Sequence, residues 1–234
     1  MEALTEDWQR ANIIVAHPDD IEFGLAGAVA RWTRQGKDVA YVLASKGEAG
    51  IAALPPERAA PLREVEQRNS AAVVGVQTIE FLDFADGAIE YGLALRRALA
   101  AAIRRLRPDI VVTTSFDLTW GDTGNVNHAD HRAVGLATLD ACRDAANPWS
   151  FSEVGPAWGG IQAAYVAAAS GPTHYVDVED TLDLAVASLE EHRAYLDGLG
   201  RDLDPDEFLR AFARASGTIA GCRYAVLFRQ YYPV

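Results

Sequence analysis

Short apolar runs alternate with longer stretches of helical periodicity along most of this chain, and that alternation limits the folds open to it. "NIIVA" (12–16), "DVAYVLAS" (38–45), "VQTIEFLDF" (76–84) and "DIVVTTS" (109–115) read as strands. Segments 24–35, 62–74, 93–106 and 129–146 between and after them have the spacing of helices, and "IQAAYVAAAS" and "THYVDV" add two further strands. Segment 45–61, rich in Gly and Pro, and segment 116–131, without periodicity, read as loops, and helices near 181–200 and 206–215 complete the pattern. Strands joined by helices of ten or more residues give an α/β fold, a mostly parallel sheet covered on both faces. With 234 residues, half of them hydrophobic, the chain suits one domain over 1–234.

Ligands in such sheets bind beyond the carboxyl ends of the strands. That rule collects 17–24, 45–50 and 115–131 at one edge. A nucleotide would need a glycine-rich turn after the first strand, and there the chain carries His17, Pro18, Asp19 and Asp20 instead. The net charge of −12 argues against nucleic acid or an anionic membrane as a partner. The N-terminal "MEALTEDWQRAN" has neither a basic nor an apolar signal region, and no apolar run is long enough to span a bilayer, so no membrane insertion is expected. Two cysteines, Cys142 and Cys222, fit reduced, cytoplasmic usage as small core residues.

Two adjacent carboxylates at the end of a buried strand repel one another unless a cation offsets their charge. Imidazole together with carboxylate suits zinc, or iron of similar preference. His17 and one of the two acids supply two ligands, and the other acid supplies a general base. The third ligand must come from far along the chain, and "NHADHRAVG" (127–135) offers His128 and His131, three apart and so on one helical face. Asp130 between them suits a helix cap or a partner for a ring nitrogen. Spacing gives His174 and His192 no role, His192 reading as a surface or interface residue, and Glu22 reads as a first-turn acid favourable to a helix dipole.

"AHPDD" (16–20) followed by "HADHRAVG" (128–135) resembles the LmbE-like, or PIG-L, zinc deacetylases, and the likeness covers most of the chain. "SKGEAG" (45–50), "REVEQRNSAAVVGV" (63–76), "FADGAIE" (84–90) and "YAVLFR" (224–229) are similar to further family segments. The resemblance implies a Rossmann-like α/β sandwich without a nucleotide site and hydrolysis of an N-acyl, above all N-acetyl, amino sugar. By position it implies His17, Asp20 and His131 as ligands of Zn2+ (or Fe2+) and Asp19 as the base on water. It implies His128 as the group that stabilises the oxyanion and assists the leaving amine, with Arg63, Asp86 and Glu48 at the substrate. Family members are often trimers or hexamers, and "FRQYYPV" (228–234) suits an interface or a lid. The sequence departs from the family at Val126, where some deacetylases carry a tyrosine that Asn125 or Asn127 would have to replace. It departs again at Val226, where a glutamate is common, and at "HRAY" (192–195), where relatives carry His-x-Ser-Gln. Two rivals remain: an amidase acting on another N-acyl compound, such as a thiol conjugate or antibiotic precursor, and a metal-binding module without turnover.

Overall fold

The computed structural model describes residues 1–121, 124–200 and 202–232. Its centre is one eight-stranded sheet: β1 (Glu2–Ala3), β2 (Arg10–Val15), β3 (Asp38–Leu43), β4 (Thr78–Phe81), β5 (Ile110–Thr114), β6 (Ala163–Ala167), β7 (His174–Asp177) and β8 (Ala225–Tyr231). The spatial order is β1-β7-β8-β6-β5-β2-β3-β4, and every pairing is parallel except the two that β8 makes, with β6 and β7. The chain moves from β2 outward through β3 and β4, then returns to the other side of β2 for β5. The resulting switch point between β2 and β5 opens a crevice at their carboxyl ends.

Alternation along the central strands fills both faces. Ile13 and Val15 of β2, Tyr41 and Leu43 of β3, and Val112 of β5 point into one core. Ile14, Val42 and Val111, one residue out of phase, point into the other. Helices α1 (Ala26–Arg34), α2 (Pro56–Val73), α5 (Leu182–Glu190) and α7 (Pro205–Ala220) contribute to the first core. Helices α3 (Leu93–Leu106) and α4 (Ala129–Ala146) cover the second. The short α6 (Arg193–Gly198) lies against α2.

Local chemistry sets the ends of these helices. Asp204 caps α7 by accepting from the Asp206 and Glu207 amides, and Pro205 takes the first helical position, where no amide donor is required. Arg107 turns left-handed after α3, ahead of Pro108. At Gly135 a Cβ would sit 2.7 Å from the Thr114 carbonyl oxygen, so glycine lets α4 close onto the end of β5.

Several expectations shift. The second helix begins at Pro56 rather than 62, because Pro55 and Pro56 start a helix and Pro61 is accommodated inside it, so the loop after β3 is shorter than 45–61. The strand expected over 76–84 is ordered as strand only over Thr78–Phe81. The helix expected over 181–200 is broken at Glu191 and His192 into α5 and α6, and the last helix runs to Ala220. Residues 228–231 are not a lid but part of β8, inside the sheet, while 233–234 lie outside the described residues. Among the described residues no helix is long and apolar enough to cross a membrane, and both cysteines are free.

Candidate metal and catalytic site

The loops after β2, β3, β4 and β5 meet over the switch point, where they bring His17, Asp19, Asp20, Asp86, Asp130 and His131 together. Asp20 folds back over the end of β2, and its Oδ2 accepts from the Ala16 and His17 amides at 3.0 and 2.8 Å. Its Oδ1 lies 2.9 Å from His131 Nε2, which lies 3.2 Å from His17 Nδ1. A tetrahedral ion with its ligands about 2.0–2.1 Å away spaces them about 3.3–3.4 Å apart. His17, Asp20 and His131 thus form a cluster of the right donors at nearly the right spacing.

The outer nitrogens of the two imidazoles fix which nitrogen faces the cluster. Asn127 donates through Nδ2 to the Ser115 and Asp117 carbonyls, so its Oδ1, 3.0 Å from His131 Nδ1, must accept. The His131 proton therefore sits on Nδ1 and the lone pair on Nε2. His17 Nε2 lies 2.9 Å from Asp86 Oδ1 and 3.1 Å from Asp130 Oδ2, which leaves Nδ1 for the cluster. Burial alone would lower the His17 pKa, but hydrogen bonds to Asp130, Asp20 and Asp86 raise it to about 12, so a cation entering here displaces a proton. Asp130 is itself gripped by the Gly87 and Ile89 amides. It is a partner for a ring nitrogen, not a cap: α4 is capped by His128, whose Nδ1 accepts from the Asp130 amide.

That bond sets the tautomer of His128. With Nδ1 accepting, the neutral ring carries its proton on Nε2 and has a donor to offer. Burial lowers the His128 pKa and the nearby His17 charge lowers it further, which favours the neutral ring. The ring meets His17 edge-on, with centroids 5.1 Å apart.

The adjacent acid, Asp19, is placed apart from this cluster. Its backbone is left-handed, with φ at 84°, a conformation that costs a non-glycine residue about 1–3 kcal/mol unless its surroundings hold it. Arg63 Nη2 donates to Asp19 Oδ2 at 2.9 Å and to the Pro18 carbonyl at 2.7 Å, while Arg63 Nη1 donates to the Gly47 carbonyl at 2.8 Å. Burial raises the Asp19 pKa to about 6, against the opposing pull of Arg63. Burial would also raise that of Asp20, yet His131 and His17 hold it well below the ordinary carboxylate range.

The three residues expected at the substrate are placed differently from one another. Arg63 is only 2% exposed and is spent on Asp19 and two loops. Asp86 bridges His17 and the Ala49 amide. Glu48 accepts from the Asp86 amide, latching the loop after β3 to the loop after β4. A Cβ at Gly47 would lie 2.1 Å from Arg63 Nη1, which accounts for glycine in "SKGEAG". Val126 sits on the rim, 69% exposed, bridged to Thr119, and Trp120 of the same loop meets the His131 ring edge-on at 5.5 Å. Residues 122–123 of that loop lie outside the described residues. Asn127 is buried beneath His131 and does not stand in for the missing tyrosine.

Sequence reasoning missed the far side of Asp19. His192 is fully buried, its Nε2 3.5 Å from Glu22 Oε2, and Glu22 is fully buried too. Tyr195 of α6 carries its ring 4.2 Å from the Arg63 guanidinium, and its hydroxyl favours the ionised form of Asp19. A signal for this half existed: Arg63, Glu66, Gln67 and Ser70 put polar residues at helical spacing on the buried face of α2.

Comparison with known proteins gives the family and the fold. The family model for PIG-L, the GlcNAc-PI de-N-acetylases, matches residues 12–142. A diacetylchitobiose deacetylase of Thermococcus kodakarensis is 29% identical over 94% of this chain and 82% of its own length. The structure of N,N'-diacetylchitobiose deacetylase from Pyrococcus horikoshii superposes with a TM-score of 0.86 at 24% identity, covering 97% of this chain and 85% of that one. GalB, the 4-carboxy-2-hydroxymuconate hydratase of Pseudomonas putida, has the same fold, with a TM-score of 0.77 at 19% identity over 97% of each chain. The chain belongs to the PIG-L family of deacetylases.

Proposed function

We propose that this protein removes the acetyl group from an N-acetylated amino sugar by adding water to the amide carbonyl. The observation that carries this reading is the pairing of a three-donor cluster, His17, Asp20 and His131, with a separate buried carboxylate on the residue next to Asp20. Those three residues would hold a zinc ion, or iron of similar preference. Such an ion, when bound, polarises a carbonyl and brings the pKa of water toward neutrality. Asp19 takes a proton from water as the new C–O bond forms, a task suited to a carboxylate whose pKa is raised to about 6. The Nε2–H of His128 donates to the carbonyl oxygen as negative charge gathers there. The proton held by Asp19 returns to nitrogen as the C–N bond breaks, leaving a free amine and acetic acid, which ionises to acetate. Asp86 and Glu48 join the loops that border the site, and we assign them to its sugar side.

The test is amine release by metal-loaded protein from N,N'-diacetylchitobiose, N-acetylglucosamine derivatives and N-acetylated non-sugars. Release from the sugars supports the assignment. Release only from non-sugar amides would move the substrate class to the rival amidase reading. No amine from any amide, with hydration of an unsaturated acid instead, would place the chain with the hydratase on the same fold.

A further inference from the structure

Behind Asp19 lies a buried polar chain that the proposed reaction does not use. The Asp19 amide donates to Gln67 Oε1 at 3.1 Å. Gln67 Nε2 donates to Glu22 Oε1 at 2.9 Å, and the Ser70 hydroxyl donates to the same oxygen at 2.6 Å. Ser70 Oγ pairs in turn with Ser188 Oγ at 2.8 Å, tying α2 to α5. On the other side of Glu22, Oε2 faces His192 Nε2 at 3.5 Å, a charge contact without hydrogen-bond alignment. Glu22, Gln67, Ser70, Ser188 and His192 are all fully buried.

A primary amide has a donor end and an acceptor end, and rotating it by half a turn exchanges them. The Glu22 carboxylate accepts only, so it demands the amino end of Gln67. The carbonyl end is thereby turned toward Asp19, whose amide needs an acceptor. Were Gln67 reversed, two donors would face each other at Asp19 and two acceptors at Glu22. His192 supplies the compensating charge that keeps Glu22 acceptable in the interior. The geometry points to Gln67, oriented by Glu22 and His192, as a positioning residue that holds the left-handed backbone of Asp19 and so aims its carboxylate. Arg63 fixes the side chain of Asp19 from one direction, and Gln67 fixes its main chain from another. The inference rests on the reading of Asp19 as the base.

Gln67→Met keeps the bulk of the side chain and removes both ends of the amide. It should lower kcat about 10- to 100-fold, with KM within twofold of wild type and full metal content. A crystal structure should show Asp19 out of the left-handed region. Gln67→Glu is the rescue. A carboxyl group has the shape of the amide, and its protonated form offers a donor toward Glu22 and an acceptor toward Asp19. Its kcat should exceed that of Gln67→Met at least fivefold. Wild-type kcat in Gln67→Met, or an unmoved Asp19 backbone, overturns the inference. If Gln67→Met does not fold, a Gln67→Glu enzyme whose kcat falls more than about twentyfold at full metal content overturns it equally. Asp19→Ala separates the two claims: activity surviving in that variant sinks the reading of the base, whereas a dead Asp19→Ala beside a normal Gln67→Met sinks only the role of Gln67.

Discussion

The two faces of the site differ in how they are built. On the metal side, His17, Asp20 and His131 come from two short motifs, and one or two neighbours set the orientation of each donor: the Ala16 and His17 amides for Asp20, Asn127 for His131, and the Asp130–Asp86 pair for His17. On the far side, Asp19 is held by a network drawn from three parts of the chain, through Arg63 and Gln67 of α2, Glu22 of the turn after β2, and His192 and Tyr195 at α6. Two adjacent carboxylates thereby receive opposite environments. Asp20 is surrounded by imidazoles and stays ionised, while Asp19 is desolvated and its pKa rises. Environment, not residue type, sets their protonation apart.

Substitutions that separate the faces should have effects of graded size. His131→Ala removes a donor outright and should abolish both metal retention and turnover; elemental analysis after dialysis reads the first. Asp19→Ala should leave metal content intact and lower kcat by about 10²–10⁴-fold, the range for a lost general base. Asn127→Ala frees the His131 ring and should weaken metal affinity about 10- to 100-fold, read by competition with a chelator. On the far side, Tyr195→Phe keeps the ring over Arg63 and loses the hydroxyl, so kcat should fall about two- to fivefold with KM unchanged. A large loss of metal in Tyr195→Phe would show that the faces are not independent.

The smallest effect is a stability difference that depends on pH. Burial alone would lower the His192 pKa, but contact with Glu22 raises it above its ordinary value of 6.5. A raised basic pKa contributes stability that is fully present below the unfolded value and is lost as pH rises through the folded one. The Tm advantage of wild type over His192→Gln should therefore be greatest below about pH 6.5 and shrink above it. A gap that widens with rising pH would contradict the charged pair.

The same contrast explains what was legible in the sequence. The alternating strands and helices predicted the parallel sheet, and α3 and α4 stand over the residues their periodicity marked. The His17–Asp20–His131 cluster was legible as a candidate because its donors sit in two compact motifs beside strand ends. The far face was not, because buried ion pairs depend on which helices meet. Glu22 looks like a helix-dipole acid and His192 like a surface residue until α1, α2 and α6 are packed. β8 was missed for a related reason: its place between β6 and β7 follows from an antiparallel return that no local pattern marks.

In the proposed reaction, a metal-loaded cluster works with Asp19 to hydrolyse an acetamido sugar. Its most direct test is acetate release from N,N'-diacetylchitobiose by wild type and Asp19→Ala at equal, verified zinc content. Wild type should release acetate steadily, and the variant at least a hundredfold less. Equal rates, or no release by the fully loaded wild type, would contradict it.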